Sequence, residues 1–119
     1  MAIKGILALP EGEEGIIDGF ANKIGLWGRP GGRLILTNKR LLFTNRRKTI
    51  IRDEYPLSNI IAAFPASNAT FWTTFLIITL FLRNAIKVTS KGEGSQRFVV
   101  NDRNRWISLI NEYRKKPSG

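Results

Sequence analysis

Apolar and polar residues alternate at period two repeatedly along this chain, and that alternation predicts short antiparallel strands. Candidate strands run over Gly15 to Trp27, Arg33 to Thr37, Arg40 to Asn45, Thr49 to Tyr55 and Asn59 to Phe64, with a long one within Thr74 to Ser90 and a last at Gln96 to Asn101. In Leu34-Ile35-Leu36-Thr37-Asn38-Lys39-Arg40-Leu41-Leu42-Phe43, Leu34 and Leu36 fall on one face, as do Leu41 and Phe43 after a two-residue turn. Asn38 tolerates the positive φ that tight hairpins demand. Arg29-Pro30-Gly31-Gly32 and Lys91-Gly92-Glu93-Gly94-Ser95 read as the turns before the second and last strands. The first lacks the Gly-Lys-Ser/Thr ending of a P-loop and leads into a strand, so it reads as a glycine turn. Helical spacing occurs only near the C-terminus, where Trp106, Leu109, Ile110 and Tyr113 make one apolar stripe. Asp102 is its expected N-cap, and Arg114-Lys115-Lys116 suits the negative end of its dipole. Trp106 belongs in the core.

At 119 residues the chain fits a single domain with a real core. Lys and Arg number 19 against 9 Asp and Glu, a net charge of +10, so the molecule attracts polyanions of any kind. Charge alone does not choose among lipid headgroups, acidic protein surfaces and nucleic acid. Cysteine and histidine are both absent. That removes disulfides, thiolate metal sites, the usual general base and the usual nucleophile. No carboxylate spacing, phosphate loop or calcium loop replaces them, and Asp53-Glu54 is expected to face solvent on its strand. The reading is a non-enzymatic protein with no catalytic residues, metal or cofactor. The first ten residues reach Glu11-Gly12-Glu13-Glu14 too soon for a secretory h-region, so the chain is expected to act in the cytoplasm.

No charged residue lies between Glu54 and Arg83, and the densest part of that stretch is Phe71-Trp72-Thr73-Thr74-Phe75-Leu76-Ile77-Ile78-Thr79-Leu80-Phe81-Leu82. A spanning helix needs ~20 predominantly apolar residues, and that length is reached only by including Pro65, Ser67, Asn68 and Thr70, which disfavours spanning. As a strand, the run is apolar on both faces. It is expected to be a hydrophobic insertion, around 64–83, buried in a homo-oligomer through Phe71, Trp72, Phe75, Ile77 and Leu80, with interfacial membrane contact as the other option.

Seven strands followed by one helix is the element order of the pleckstrin-homology (PH) superfold, and the local motifs agree. Leu9-Pro10-Glu11-Gly12-Glu13 resembles the opening of GRAM and bacterial PH-like domains, and Gly31-Gly32-Arg33 through Phe43 resembles their second hairpin. Tyr55-Pro56-Leu57-Ser58-Asn59-Ile60 is similar to their link into the fifth strand, and Phe98-Val99-Val100-Asn101 with Trp106 to their last strand and helix. The resemblance implies a mainly β, bent sandwich or barrel of about seven antiparallel strands with one C-terminal helix. It also implies that the loops joining strands one to two, three to four and six to seven meet at an open end. Trp27, Arg29, Arg33, Arg46, Arg47 and Lys48 would then cradle an anionic headgroup, with Lys91 and Glu93 nearby. The PH phosphoinositide pattern places Lys23 and Arg33 at its outer positions, but Gly31 stands where its middle cation belongs. The implied function is peripheral binding to anionic phospholipid, or to an acidic protein surface. The alternative is a self-assembling interaction domain using 71–82. Nucleic acid draws on charge alone, since no stacking pattern or recognition helix is evident.

Overall fold

The computed structural model describes residues 9–24, 31–66, 85–92 and 94–115. They form β1 (Gly15–Ile24), β2 (Gly31–Thr37), β3 (Arg40–Thr44), β4 (Ile51–Pro56), β5 (Ile60–Ala66), β6 (Ala85–Ser90), β7 (Gly94–Val100) and α1 (Arg103–Arg114). A 3-10 turn at Leu57–Asn59 joins β4 to β5. Residues 67–84, which carry Phe71, Trp72, Phe75, Ile77 and Leu80, lie outside the described residues. Of the long strand anticipated within Thr74 to Ser90, the described part is the six residues of β6.

The seven strands make one sheet in the order β4-β3-β2-β1-β7-β6-β5, every neighbouring pair antiparallel. The sheet is strongly bent. Three steps separate β3 from β7, which in a flat sheet is ~14 Å. Yet the rings of Phe43 and Phe98 are 5.6 Å apart, and Tyr55 of β4 meets Phe98 edge-on at 6.2 Å. Both edges therefore close over one core, built from Leu34, Leu36, Leu41, Phe43, Ile86, Val88, Phe98 and Val100. The alternate positions Ile35 and Leu42 face the other way, where Leu9 covers them. The opening motif is thus docked on the outside of the β2–β3 hairpin.

That docking corrects the reading of Asn38. The left-handed non-glycine residues among those described are Lys48 and Asp102, so the turn does not use a positive φ at Asn38. Asn38 is a tie instead. Its Oδ1 accepts from the Glu14 N–H at 2.8 Å, and its Nδ2 donates to the Gly12 carbonyl at 3.2 Å. Gly31 and Gly32 are likewise strand residues rather than turn residues, paired with Asn22 and Ala21. A Cβ on Gly32 would overlap the Thr44 carbonyl oxygen, so glycine is required there by close approach of two backbones.

Helix α1 closes the barrel against β5. Trp106 and Ile110 are buried, and Ile107, Leu109 and Tyr113 pack around them. The indole packs over Gly19 of β1, its Cζ2 3.6 Å from where a Cβ would stand, an ordinary contact distance. Asn111 grips the edge strand: Oδ1 accepts from the Ala63 N–H at 2.9 Å and Nδ2 donates to the Ala63 carbonyl at 3.0 Å. This occupies backbone groups that an edge strand would otherwise present. Asp102 stands at the N-cap but in the left-handed region, at φ 57°, and its side chain makes no capping bond. Its carbonyl instead accepts from the Arg105 and Trp106 N–H groups.

Candidate functional site

The ends of β1, β3 and β6 and the starts of β2, β4 and β7 lie along one rim of the sheet, as the register requires. Three connections rise from it. Residues 25–30, with Trp27 and Arg29, lie outside the described residues. The β6–β7 turn exposes Lys91, whose N–H donates to the Asn59 carbonyl at 2.8 Å.

The third connection, residues 45–50, is tied internally by the Asn45 side chain. Asn45 Oδ1 accepts from the N–H groups of Thr49 (2.9 Å) and Ile50 (3.1 Å), while Nδ2 donates to Thr49 Oγ1 at 2.7 Å. Its backbone closes the loop, the N–H donating to Ile50 and the carbonyl accepting from Lys48, both at 3.1 Å. Lys48 adopts φ 58°. Its side chain folds back over β1 and its Nζ sits 2.6 Å from Asp18 Oδ2.

Lys48 is therefore not the solvated loop cation that a charge run predicts; it is only 6% exposed. Asp18 holds a second partner, Arg33 Nε at 2.8 Å, and the Arg33 guanidinium lies 4.2 Å above the exposed Phe20 ring. Arg33 and Lys48 are thus brought together, with one carboxylate shared between them. Arg46 and Arg47 are exposed and join no ion pair among the described residues. Arg46 lies across Gly31: a Cβ there would come within 2.9 Å of its Nη2 and 3.3 Å of Asn22 Nδ2. Because glycine stands at that position, a cavity of about 250 Å³ opens between Phe20, Asn22, Gly31, Gly32 and Arg46. It presents the Arg46 guanidinium, a donor fork suited to a phosphate oxygen, beside an aromatic wall.

Lys23 does not join it. Period two puts Lys23 on the face opposite Phe20 and Asn22, and its Nζ is 2.9 Å from Asp53 Oδ2. Burial pulls the ammonium down, but Asp53 and Tyr55 outweigh this and hold it above its ordinary value. Glu54 is exposed, as expected, and pairs with Arg40, whereas Asp53 is half-buried and engaged by Lys23.

Arg40 belongs to a cluster that the sequence did not announce. Glu13 is buried beside it, Oε2 taking Arg40 Nε at 2.8 Å and the Thr37 hydroxyl at 2.6 Å, Oε1 taking Arg40 Nη2 at 3.1 Å. Burial pushes the Glu13 carboxyl up, but these bonds and the guanidinium charge leave it below its ordinary range. Acid and base stand 27 residues apart. The turn motif at Gly12 and Asn38 was the signal available. This cluster stitches the opening segment to the hairpin, away from the cavity.

No protein-family model matches the sequence, and no curated protein matches it. Solved structures do match in shape. A pleckstrin homology domain solved in solution superposes with a TM-score of 0.61 at 16% identity, over 86% of this chain and 87% of that one. The Slm1 PH domain, whose structures demonstrate ligand binding, gives 0.56 at 18%, over 84% and 95%. The linker-DH/PH region of p115-RhoGEF gives 0.66 at 14%, over 89% of this chain; this chain spans 31% of that one. At such identities the likeness is one of fold.

Proposed function

We propose that this chain, a PH-like module, is a non-enzymatic binding domain of the GRAM or bacterial PH type that docks peripherally on anionic phospholipid at the inner face of a membrane. The reading is carried by one observation: Arg46 extends over the glycine floor of an open cavity beside Asn22 and Phe20, on the rim where Arg47 and Lys91 are also exposed. The PH-like fold supports a module that takes ligands or proteins, and the net charge of +10 favours an acidic surface. Among the described residues no helix is long and apolar enough to cross a membrane.

Each cation held near an anionic surface contributes about 1 kcal/mol. Changing Arg46 and Arg47 together to Ser is therefore expected to weaken co-sedimentation with phosphatidylserine vesicles by roughly thirtyfold at low salt, and by less as salt screens the pair. Oligonucleotide binding at matched salt is the control. A double variant that partitions like wild type removes both residues from the site. Because Lys48 is committed to Asp18, its replacement is expected to act on stability before it acts on binding.

Self-assembly is the second reading. Edge strand β5 leaves Ile61 and Phe64 about half exposed and leads into the uncharged run at 71–82. Apolar side chains exposed on an edge strand favour a second copy. Sedimentation without lipid or detergent tests it. An oligomer that becomes smaller on Ile77→Lys with Leu80→Lys supports assembly, and a wild-type monomer rejects it.

A further inference from the structure

Strands β5, β6 and β7 carry no acidic residue. On their outer face the register sets Phe64 beside Lys87 and Lys87 beside Arg97, so an aromatic ring and two cations stand in one row across three strands. Neighbouring strands in such a row are ~4.8 Å apart. The residues that alternate with them, Ala63, Ile86, Val88 and Phe98, belong to the core, which fixes the row on the outside. Phe64 is 48% exposed and Lys87 is exposed, with Arg97 half-buried. The next row holds Ala62, Thr89 and Ser95, the two hydroxyls 2.9 Å apart. Two residues before and two after Phe64 on that face are Ala62 and Ala66, so no large side chain of its own strand stands beside the ring.

The backbone edge of β5 offers little to an added peptide strand. Asn111 occupies both polar groups of Ala63, and Pro65, two residues on and turned to the same edge, has no N–H. A ligand therefore meets side chains rather than a ladder. A bilayer calls for apolar groups that reach below the charges, whereas here ring and cations lie side by side on one sheet. One ring is also too little for a stable protein interface, which takes ~800 Å² from each partner. Side-by-side placement suits a single-stranded nucleic acid, whose bases are unpaired and free to stack on an aromatic face while the phosphates lie to one side of them.

We propose that the outer face of β5, β6 and β7 binds single-stranded nucleic acid: Phe64 stacks on a base while Lys87 and Arg97 take phosphates of the adjoining backbone. The row shares no residue with the Arg46 cavity, and the inference does not rest on the lipid reading.

Fluorescence anisotropy with a short fluorescein-labelled oligothymidylate tests it. Phe64→Ala is expected to weaken binding roughly tenfold at every salt concentration, the effect of withdrawing one base–aromatic stack. Phe64→Tyr, which keeps the ring, is expected to bind like wild type, and Phe64→Leu, which keeps the apolar bulk, to lose affinity like Phe64→Ala. Lys87→Ser with Arg97→Ser is expected to lower the slope of log affinity against log salt by about 1.4, the counter-ions of two single-strand phosphates. Arg46→Ser with Arg47→Ser is expected to leave both effects in place. Inorganic polyphosphate, a polyanion without bases, is expected to bind with no dependence on Phe64. An oligothymidylate affinity that is the same for Phe64→Leu as for Phe64→Tyr overturns the proposal, as does polyglutamate binding with an equal dependence on the ring. Wild type that binds phosphatidylserine vesicles and ignores the oligonucleotide also overturns it, and leaves the lipid reading standing.

Discussion

Trp106→Ala is expected to destabilise the domain by ~3 to 5 kcal/mol, the cost of emptying a large buried aromatic site. A small domain holds only ~5 to 15 kcal/mol in total, so the variant is expected to be largely unfolded or to melt far below wild type. The size of the effect follows from where the indole sits. It fills the space over Gly19 on β1, on the inside of the bend, and it anchors α1 to the core shared with Phe98 and Ile110. Losing it also releases Asn111 from Ala63, which exposes the backbone of edge strand β5. Urea unfolding followed by circular dichroism measures this. A midpoint close to that of wild type would show that α1 does not close the barrel.

Arg40→Ala is expected to cost about 3 kcal/mol at neutral pH, because it leaves the buried Glu13 carboxylate without its counter-ion. The pH dependence gives a second, independent readout. In wild type the Glu13 pKa lies below its ordinary value of 4.5. Its pairing therefore adds stability that is fully present above that ordinary value and is lost as pH falls through the lower, folded-state value. In the variant the burial cost is opposed only by the Thr37 hydroxyl and the Lys39 charge, so the carboxyl moves up and protonation relieves more of the penalty. The difference between the two proteins should be largest at neutral pH and should shrink on acidification. Lys23 works in the opposite sense: its folded value is raised, so its pairing is intact below 10.5 and fades as pH rises beyond it. Equilibrium unfolding of both proteins across an acid series decides it; a gap that stays constant with pH would mean that Glu13 does not depend on Arg40.

The elements themselves were written in neighbouring residues. Short apolar runs between turn residues mark most of the strands, although β5, Ile60 to Ala66, is apolar throughout and shows no alternation, and the spacing of Trp106, Leu109, Ile110 and Tyr113 marks α1, because a helix repeats over 3.6 residues whatever surrounds it. The inward set Leu34, Leu36, Leu41 and Phe43 follows from alternation across a two-residue turn. Partnership did not follow. Arg33 and Lys48 lie 15 and 30 residues from Asp18, and Lys23 lies 30 from Asp53, so whether each cation is available depends on strand register and on which face it occupies. A run of three cations at 46–48 therefore reads as one solvated patch, yet the fold turns Lys48 inward and leaves Arg46 and Arg47 outside. Gly31 and Gly32 likewise read as a turn, because a local pattern registers backbone freedom but not the approach of Thr44 and Arg46 from a distant strand and loop. The sequence by itself determined the strands, the helix and the cationic character of this protein; only the tertiary structure decided which cations remain for a ligand, because ion pairing is a contact between segments that the chain keeps far apart.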